Sequence, residues 1–162
     1  MIASTEIIPR LQNIESQFQS ETDPIKALLL AKLAILEAGG WIEECIDSIV
    51  EDYLQRKNPA SKQKILEKLQ KMYGFSYSSE FKGIWIQIIG HLCFDKIEYS
   101  IPMVCQQLES ALNGLKRSRD ISAHTYMKIT TTIDSPVIVI IKVQQIEKGL
   151  NDFVKELNML PI

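Results

Sequence analysis

The stretch from Asp23 to Pro59, DPIKALLLAKLAILEAGGWIEECIDSIVEDYLQRKNP, decides the fold class. Its apolar residues recur every three or four positions, which is the period of a helix with one buried face. Asp23 is a preferred N-cap residue, Pro24 is favoured at the first helical position, and Asn58 with Pro59 supplies a stop. The pattern predicts one long amphipathic helix. The positions that we assign to its buried face are Ile25, Leu28, Leu29, Leu33, Leu36, Ile42, Cys45, Ile46, Ile49, Val50, Tyr53 and Leu54.

Two adjacent glycines, Gly39 and Gly40, interrupt this pattern near its middle. A glycine in a helix interior costs roughly 1 kcal/mol relative to alanine, so a pair of them needs a structural reason. Either a kink at this point or the close approach of another helix supplies one.

Helical periodicity continues on both sides of the long helix. We expect a helix at about 5–18, a lysine-rich helix at 59–72 that Gly74 closes, a core helix at 79–95, and another that Pro102 opens. The core helix carries an apolar stripe in which Trp85 is expected to pack rather than to bind a ligand. That stripe consists of Phe81, Ile84, Trp85, Ile88, Ile89, Leu92 and Cys93, and the Pro102 helix carries Val104, Leu108 and Leu112.

The C-terminal segment favours a strand locally but a helix over its full length. Residues 128–134 look like an irregular connection, Ser135 and Pro136 restart a helix, and 137–141 alone has β-propensity. Apolar residues continue with helical period to Leu157, which outweighs so short a run. No glycine-rich phosphate loop, strand-helix alternation or internal repeat occurs. The fold class predicted is therefore all-α, a bundle of four or more helices with additional short helices.

Length and composition bound the class of protein. The 162 residues suit one domain, 1–162, and the formal net charge of -2 means that any nucleic acid must be held by a local basic patch. Cys45, Cys93 and Cys105 fit neither a disulfide framework nor a zinc motif, so we expect buried free thiols and no metal or other cofactor. No signal peptide or membrane-spanning run is present, which favours a cytoplasmic protein that does not enter a membrane.

The segment from Leu115 to Tyr126, LKRSRDISAHTY, concentrates the groups that can carry chemistry. On a helix, Lys116, Asp120, His124 and Lys128 fall near one ridge at four-residue steps, so Asp120 can orient the His124 ring and set its tautomer. Arg119 precedes His124 by five residues and points roughly 140° away on an ideal helix. The long arginine stem, or a second chain, has to close that gap.

An imidazole and a guanidinium match the needs of RNA cleavage without a metal. The 2′-hydroxyl must lose a proton, the leaving 5′-oxygen must gain one, and the charge that develops on the phosphate must be stabilised. His124 suits the proton transfers and Arg119 the phosphate, with Lys116, Arg117 and Lys128 as candidate RNA contacts. Because this segment holds one histidine, two chains around a two-fold axis fill the acid and base roles most easily.

The motif Arg119-Asp120-x-x-x-His124, which Tyr126 extends to Arg-x4-His-x-Tyr, resembles the signature of the HEPN superfamily. The sequence Trp41-Ile42-Glu43 in the long helix, the basic lead-in, and the threonine-rich connection before Ser-Pro resemble its RiboL-PSP-HEPN branch. The resemblance implies a helical bundle, a homodimer with facing motifs and a metal-independent endoribonuclease, often in toxin-antitoxin, phage-defence or RNA-processing systems. By it Arg119 and His124 carry catalysis and Asp120 supports them.

Other roles stay open at the sequence level. In HEPN toxins paired with a nucleotidyltransferase antitoxin, the tyrosine matching Tyr126 is a target of adenylylation; packing at an interface or core edge is its alternative role. Ser122 is a further supporting candidate, and His91 is expected to be a core or interface residue. The chain is alternatively a non-catalytic HEPN module that binds RNA or a protein partner such as an antitoxin, or a helical adaptor unrelated to RNA.

Overall fold

The computed structural model describes residues 5–72, 74–124 and 132–160, with the backbone alone at His124. Across these ranges the chain is all-α, as predicted, and none of the helices described is long and apolar enough to cross a membrane. A π-helical turn, Tyr77–Phe81, leads into the fourth helix. The helices are α1 Ile7–Ser20, α2 Pro24–Lys57, α3 Lys62–Leu69, α4 Lys82–Ile89, α5 His91–Ser100, α6 Pro102–His124 and α7 Pro136–Met159.

Helices α1, α2, α6 and α7 form the bundle, with α2 and α7 in direct contact between the other two. Arg56 at the end of α2 donates a hydrogen bond to Asn158 at the end of α7, so these two helices run in the same direction. Helix α6 runs the opposite way, and Arg119 near its C-terminus reaches Glu43 in the middle of α2. The end of α6, the first half of α2 and the start of α7 therefore lie at one end of the bundle.

Both ends of α2 follow the prediction. The Asp23 carboxylate accepts a hydrogen bond from the backbone N–H of Ile25 at 2.8 Å, and Pro24 occupies the first turn. Asn58 terminates the helix in the left-handed conformation with φ 40°, a role that asparagine tolerates better than most residues. The glycine pair leaves α2 unbroken.

The buried face that we assigned to the first half of α2 is wrong. Ile25, Leu29, Leu33 and Leu36 are between 36% and 59% exposed. The positions that this half buries are Ala31, Ala34, Ile35 and Ala38. This half carries apolar residues on nearly every side, so periodicity alone does not show which side is buried. The small alanines allow closer helix packing than leucines do, and their side faces the bundle.

A cluster of aromatic rings fills the centre of the bundle. The Phe153 ring of α7 lies 4.9 Å from Phe81, 5.3 Å from Trp85 and 5.8 Å from Phe94, measured between centroids. Tyr53 of α2 meets Trp85 edge-on at 5.5 Å. Trp85 is fully buried, which confirms that it packs in the core. These rings join the short central helices to the long outer ones.

The predicted core helix at 79–95 is two helices. Gly90 adopts φ 82°, a conformation that ends α4 and starts α5 in a new direction. Leu92, which we expected in the core, is 79% exposed as a result. His91, expected in the core or at an interface, is exposed too, so it is not a core residue. Gly74 is likewise no helix cap, because α3 already ends at Leu69.

The C-terminal segment is the helix predicted for it, and its buried residues follow helical period from Val139 to Leu157. The predicted connection lies only partly within the described residues, since 128–131 fall outside them. Cys45 and Cys105 are buried free thiols and Cys93 is partly exposed. Burial raises the pKa of Cys45 to about 12, which keeps this thiol protonated.

We expect Gly149→Ala to destabilise the fold by roughly 1–2 kcal/mol, because overpacking outweighs the better helix propensity of alanine. A Cβ at Gly149 would lie 3.0 Å from two side-chain atoms of Leu108, where α7 crosses α6. Gly83→Ala is the matched control, since a Cβ there meets nothing within 4 Å. Urea unfolding of both variants measures the difference. Equal stabilities for the two would contradict the packing argument.

Candidate functional site

The candidate segment forms the last turns of α6. Leu115 and Ser122 are fully buried on the inner side of the helix, and Arg119 lies between them in the turn. Lys116 and Asp120 are partly exposed and Arg117 is exposed. One side of the segment therefore packs against the bundle, and its charged side chains lie toward the surface.

Arg119 is seated against α2 rather than free in solvent. Its Nη2 lies 3.1 Å from Oε1 of Glu43 and its Nη1 lies 3.6 Å from Oδ1 of Asp120. A Cβ at Gly39 would lie 3.2 Å from Cγ of Arg119 and 3.5 Å from the Phe75 ring. The close approach predicted for the glycine pair is therefore confirmed at Gly39, which leaves room for the arginine stem.

Lys116 and Asp120 are neighbours one turn apart, as the helical ridge predicts. The Lys116 Nζ donates to Oδ2 of Asp120 at 2.7 Å. The Lys116 stem crosses Gly74, where an added Cβ would be 2.9 Å from its Cε and where φ is +113°. The hydrogen bond from Lys116, aided by its charge and that of Arg119, holds the pKa of Asp120 below its usual value. The Asp120 carboxylate is therefore ionised at neutral pH.

The pKa shift of Asp120 predicts a pH-dependent contribution to stability. Because its pKa is lowered on folding, the contribution is present above the unfolded value near 3.8 and is lost as the pH falls through the folded value. We expect Asp120→Asn to destabilise by less than about 1 kcal/mol at neutral pH, since the pair is partly exposed.

Unfolding free energies of the wild type and Asp120→Asn between neutral pH and pH 3 measure this effect. A double-mutant cycle with Lys116→Gln isolates the pair. A difference between the two proteins that persists unchanged at the acidic end would contradict the assignment.

A small cleft on the α2 side of Arg119 is acidic. Its volume is about 140 Å³, and Glu43, Asp47, Gly74 and Arg119 are among its walls. Burial raises the pKa of Asp47, and repulsion from the carboxylates of Glu51 and Glu43 adds to it. Two carboxylates facing one guanidinium repel a phosphate, so this cleft does not suit an RNA strand.

A wider groove on the outer side of α6 has the opposite character. It encloses about 490 Å³, and Lys116 and Arg117 line it together with Asp120. Asn113 and Ser76 line the same groove, and the Asn113 Oδ1 accepts a hydrogen bond from the backbone of the π-helical turn at 3.0 Å. Because that contact occupies the amide oxygen, the NH₂ group of Asn113 remains available as a donor. This groove is the better surface for an anionic ligand.

A second polar network ties the segment to the start of α7. The Asp134 Oδ2 accepts hydrogen bonds from the Ser118 hydroxyl and from Nζ of Lys142, both at 2.7 Å. The side chains of Lys142 and Asp134 are only 21% and 23% exposed. The network therefore fixes Asp134, two residues before α7, against the turn that carries Arg119.

The structure brings some of the predicted site residues together. Lys116, Arg119 and Asp120 form one ion-pair cluster, and Arg117 shares the outer groove. Ser122 is buried beneath them, and its hydroxyl has no hydrogen-bond partner among the residues described. The predicted contact of Asp120 with the His124 ring, and the roles of Tyr126 and Lys128, fall outside the described atoms and stay predictions.

Several residues at this site were not among those predicted from the sequence. Glu43 and Asp47 reach it from α2, and Asp134 reaches it from beyond the segment. The local signal for the first two is their four-residue spacing, which places them on one flank of α2 after Gly39. Comparison with known proteins adds no further residues, because no protein-family profile, curated protein or solved structure matches this chain.

Proposed function

We propose that this protein is a metal-independent endoribonuclease of the HEPN type. The observation that carries the proposal is the cluster of Lys116, Arg119 and Asp120 on the turns of α6 that lead to His124, beside a groove lined by cations. The same residues form the motif that resembles the HEPN signature. Lys116 and Arg117 line this groove, whereas Arg119 lines the acidic cleft on the α2 side, so the proposal requires a phosphate held in the groove to reach the guanidinium past Asp120.

The proposed reaction is an internal transfer within RNA. The 2′-oxygen loses its proton to a base, bonds to the adjacent phosphorus, and the bond from phosphorus to the 5′-oxygen breaks as that oxygen takes up a proton. The products are a 2′,3′-cyclic phosphate and a 5′-hydroxyl. His124 is the proton-transfer group, and a second chain supplies the opposite role from its own His124. Arg119 stabilises the charge on the phosphate.

The contacts of Arg119 bear on that role. A guanidinium has five N–H donors, and Glu43 accepts a hydrogen bond from one of them. The ion pair with Glu43 and the stem contact at Gly39 hold the side chain in one orientation, which lowers the entropy lost when a phosphate binds the other donors. A phosphate also has to compete with Glu43 and Asp120 for the charge.

Incubation of the purified protein with single-stranded RNA in EDTA tests the proposal. Cleavage is expected without added metal, and the products should carry 5′-hydroxyls, so that a polynucleotide kinase labels them without prior phosphatase treatment. Cleavage that EDTA abolishes, or products with 5′-phosphates, would contradict the mechanism. No cleavage of any RNA tested would contradict the function.

A non-catalytic HEPN module that binds RNA or a protein is the second candidate. The ion pairs of Arg119 with Glu43 and Asp120 favour it, because they already satisfy much of the arginine charge. This candidate predicts RNA retardation without cleavage and a loss of binding in Lys116→Ala. A protein that neither binds nor cleaves RNA would be the helical adaptor that the sequence left open.

A further inference from the structure

One face of α2 presents a row of large apolar side chains to solvent. Ile25, Leu29, Leu33 and Leu36 are 55%, 59%, 43% and 36% exposed. At about 100° per residue they share an arc of roughly 80°, on the side opposite the buried alanines. Single exposed leucines are ordinary, but a contiguous row on one helix marks a surface that binds something.

Gly40 lies in the same arc, and no described residue packs so closely against it that a glycine is needed there. An added Cβ at Gly40 would meet nothing within 4 Å, whereas the same atom at Gly39 would contact Arg119 and Phe75. Gly40 is exposed, and glycine is among the poorest residues for a helix interior. Removal of the side chain there does, however, let the backbone or side chain of another helix come close.

The charges beside the row indicate what that other helix is. Lys26 and Glu37 lie on the same flank of the row, within about 20° of each other around the helix, and Glu44 follows on that flank. When two copies of one face pair antiparallel about a two-fold axis, equal flanks meet, so Lys26 of one copy comes within about two residues, roughly 3 Å along the axis, of Glu37 of the other. Parallel pairing would instead bring opposite flanks together and place Lys32 between Lys26 and Glu37 of the other copy, so that a like-charge contact would offset the favourable one.

A recess beside Gly40 fits the same register. It has a volume of about 280 Å³, and its walls combine Ile7, Leu36, Gly40 and Trp41 with the charged residues Glu6, Arg10, Glu37 and Glu44. Antiparallel pairing centred near Leu33 places Leu29 opposite Leu36 and Ile25 opposite Gly40, where the missing side chain leaves room for the isoleucine. Arg10 lies 3.6 Å from Glu37 in an exposed pair that leaves this carboxylate accessible.

We propose that the α2 face of Ile25, Leu29, Leu33, Leu36 and Gly40 binds the same face of a second copy of this chain, antiparallel, about a two-fold axis near Leu33. The face from Ile25 to Gly40 is about 22 Å long and covers on the order of half of the 800 Å² per partner of a standard interface, with the recess and flanks supplying more. A dissociation constant in the micromolar range is expected. This proposal deepens the proposed function and rests on it only for the biological role of the dimer. The second copy would contact Gly40, the neighbour of Gly39, whose missing side chain makes room for Arg119.

Sedimentation velocity with the full chain, over a range of concentrations, tests the surface. Leu33→Glu should weaken self-association by at least about a hundredfold, because two carboxylates would be buried together. Leu92→Glu is the matched control, a leucine that is 79% exposed on α5, and should leave the association unchanged. Gly40→Leu should weaken self-association while the monomer stays folded. Gly83→Ala, a substitution at a glycine outside this face, should leave self-association unchanged. A wild-type protein that is monomeric at about 100 μM would overturn the proposal.

Cysteine cross-linking tests the register. In a Cys93→Ser background, Leu33→Cys lies next to its own symmetry mate, so mild oxidation by copper-phenanthroline and air should join two chains through a disulfide. Leu92→Cys should give no such product. A dimer that forms but does not cross-link through position 33 would overturn the antiparallel pairing.

The two proposals fail separately, because association is measured without RNA. A dimer with the expected variant pattern and no cleavage of RNA would overturn the endoribonuclease alone. A protein that cleaves RNA as a monomer, with Leu33→Glu fully active, would overturn the surface and the two-chain mechanism and leave a single-chain nuclease.

Discussion

Replacing His124 with alanine is expected to lower the rate of RNA cleavage by about 10² to 10⁴, the usual contribution of a general acid or base. The reason is that no other group in the segment has an unperturbed pKa near neutral pH. If one His124 from each chain serves as acid and base, both are lost in the variant dimer, and the effect should lie at the upper end of that range. Single-turnover cleavage of a labelled oligonucleotide measures the rate.

The chain supplies its own control, because it contains two histidines. His91 is exposed at the start of α5 and lies outside the segment that carries the motif, so His91→Ala should cleave RNA at the wild-type rate. The wild-type rate should also vary between about pH 5 and 8, where imidazole titrates. Equal activity of the two alanine variants would show that the protons move through another group.

The parts of the fold that follow from local rules could be predicted from the sequence. The ends of α2 are set by Asp23, Pro24 and Asn58, whose backbone preferences act over one turn and depend little on the rest of the chain. The helix at the C-terminus was predicted against its β-branched start, because the apolar period extends over more than five turns.

The break at Gly90 could not be predicted in the same way. A glycine inside an apolar helical pattern is compatible with a continuous helix, as Gly39 and Gly40 in α2 show, and with a positive φ that ends one. Only the packing of α4 and α5 against the bundle determines whether the helix continues or ends at this glycine. Whether His91 lies in the core or at the surface depends on the same packing.

The buried face of the first half of α2 could not be predicted from the apolar periodicity alone. Where both sides of a helix are apolar, one side packs against the rest of the chain and the other stays exposed, and the sequence does not distinguish them. At the candidate site, the contact of Lys116 with Asp120 follows from their spacing. The contact of Arg119 with Glu43 joins residues 76 apart and depends on how α6 crosses α2, which local rules do not contain.

Arg119→Ala is expected to lower the cleavage rate by about 10² to 10³, comparable to the loss of one preorganised donor to a developing charge. Arg119→Lys should restore little of it, because an ammonium keeps the charge but not the forked donors, and its shorter reach leaves the seat between Gly39 and Glu43. Both variants also leave Glu43, whose side chain is 33% exposed, without its strongest partner, so their stabilities have to be measured alongside.

Arg117→Ala separates a catalytic arginine from one that only attracts RNA. Arg117 is exposed in the outer groove two residues before Arg119, so its loss should reduce the salt dependence of binding by about one ion and leave the rate at saturating RNA unchanged. Arg119→Ala should do the reverse, with a small change in affinity and a large one in rate, because its charge is already paired in the free protein. If Arg119→Ala cleaves RNA at the wild-type rate while losing stability, then the arginine holds α6 to α2 and the phosphate is stabilised elsewhere.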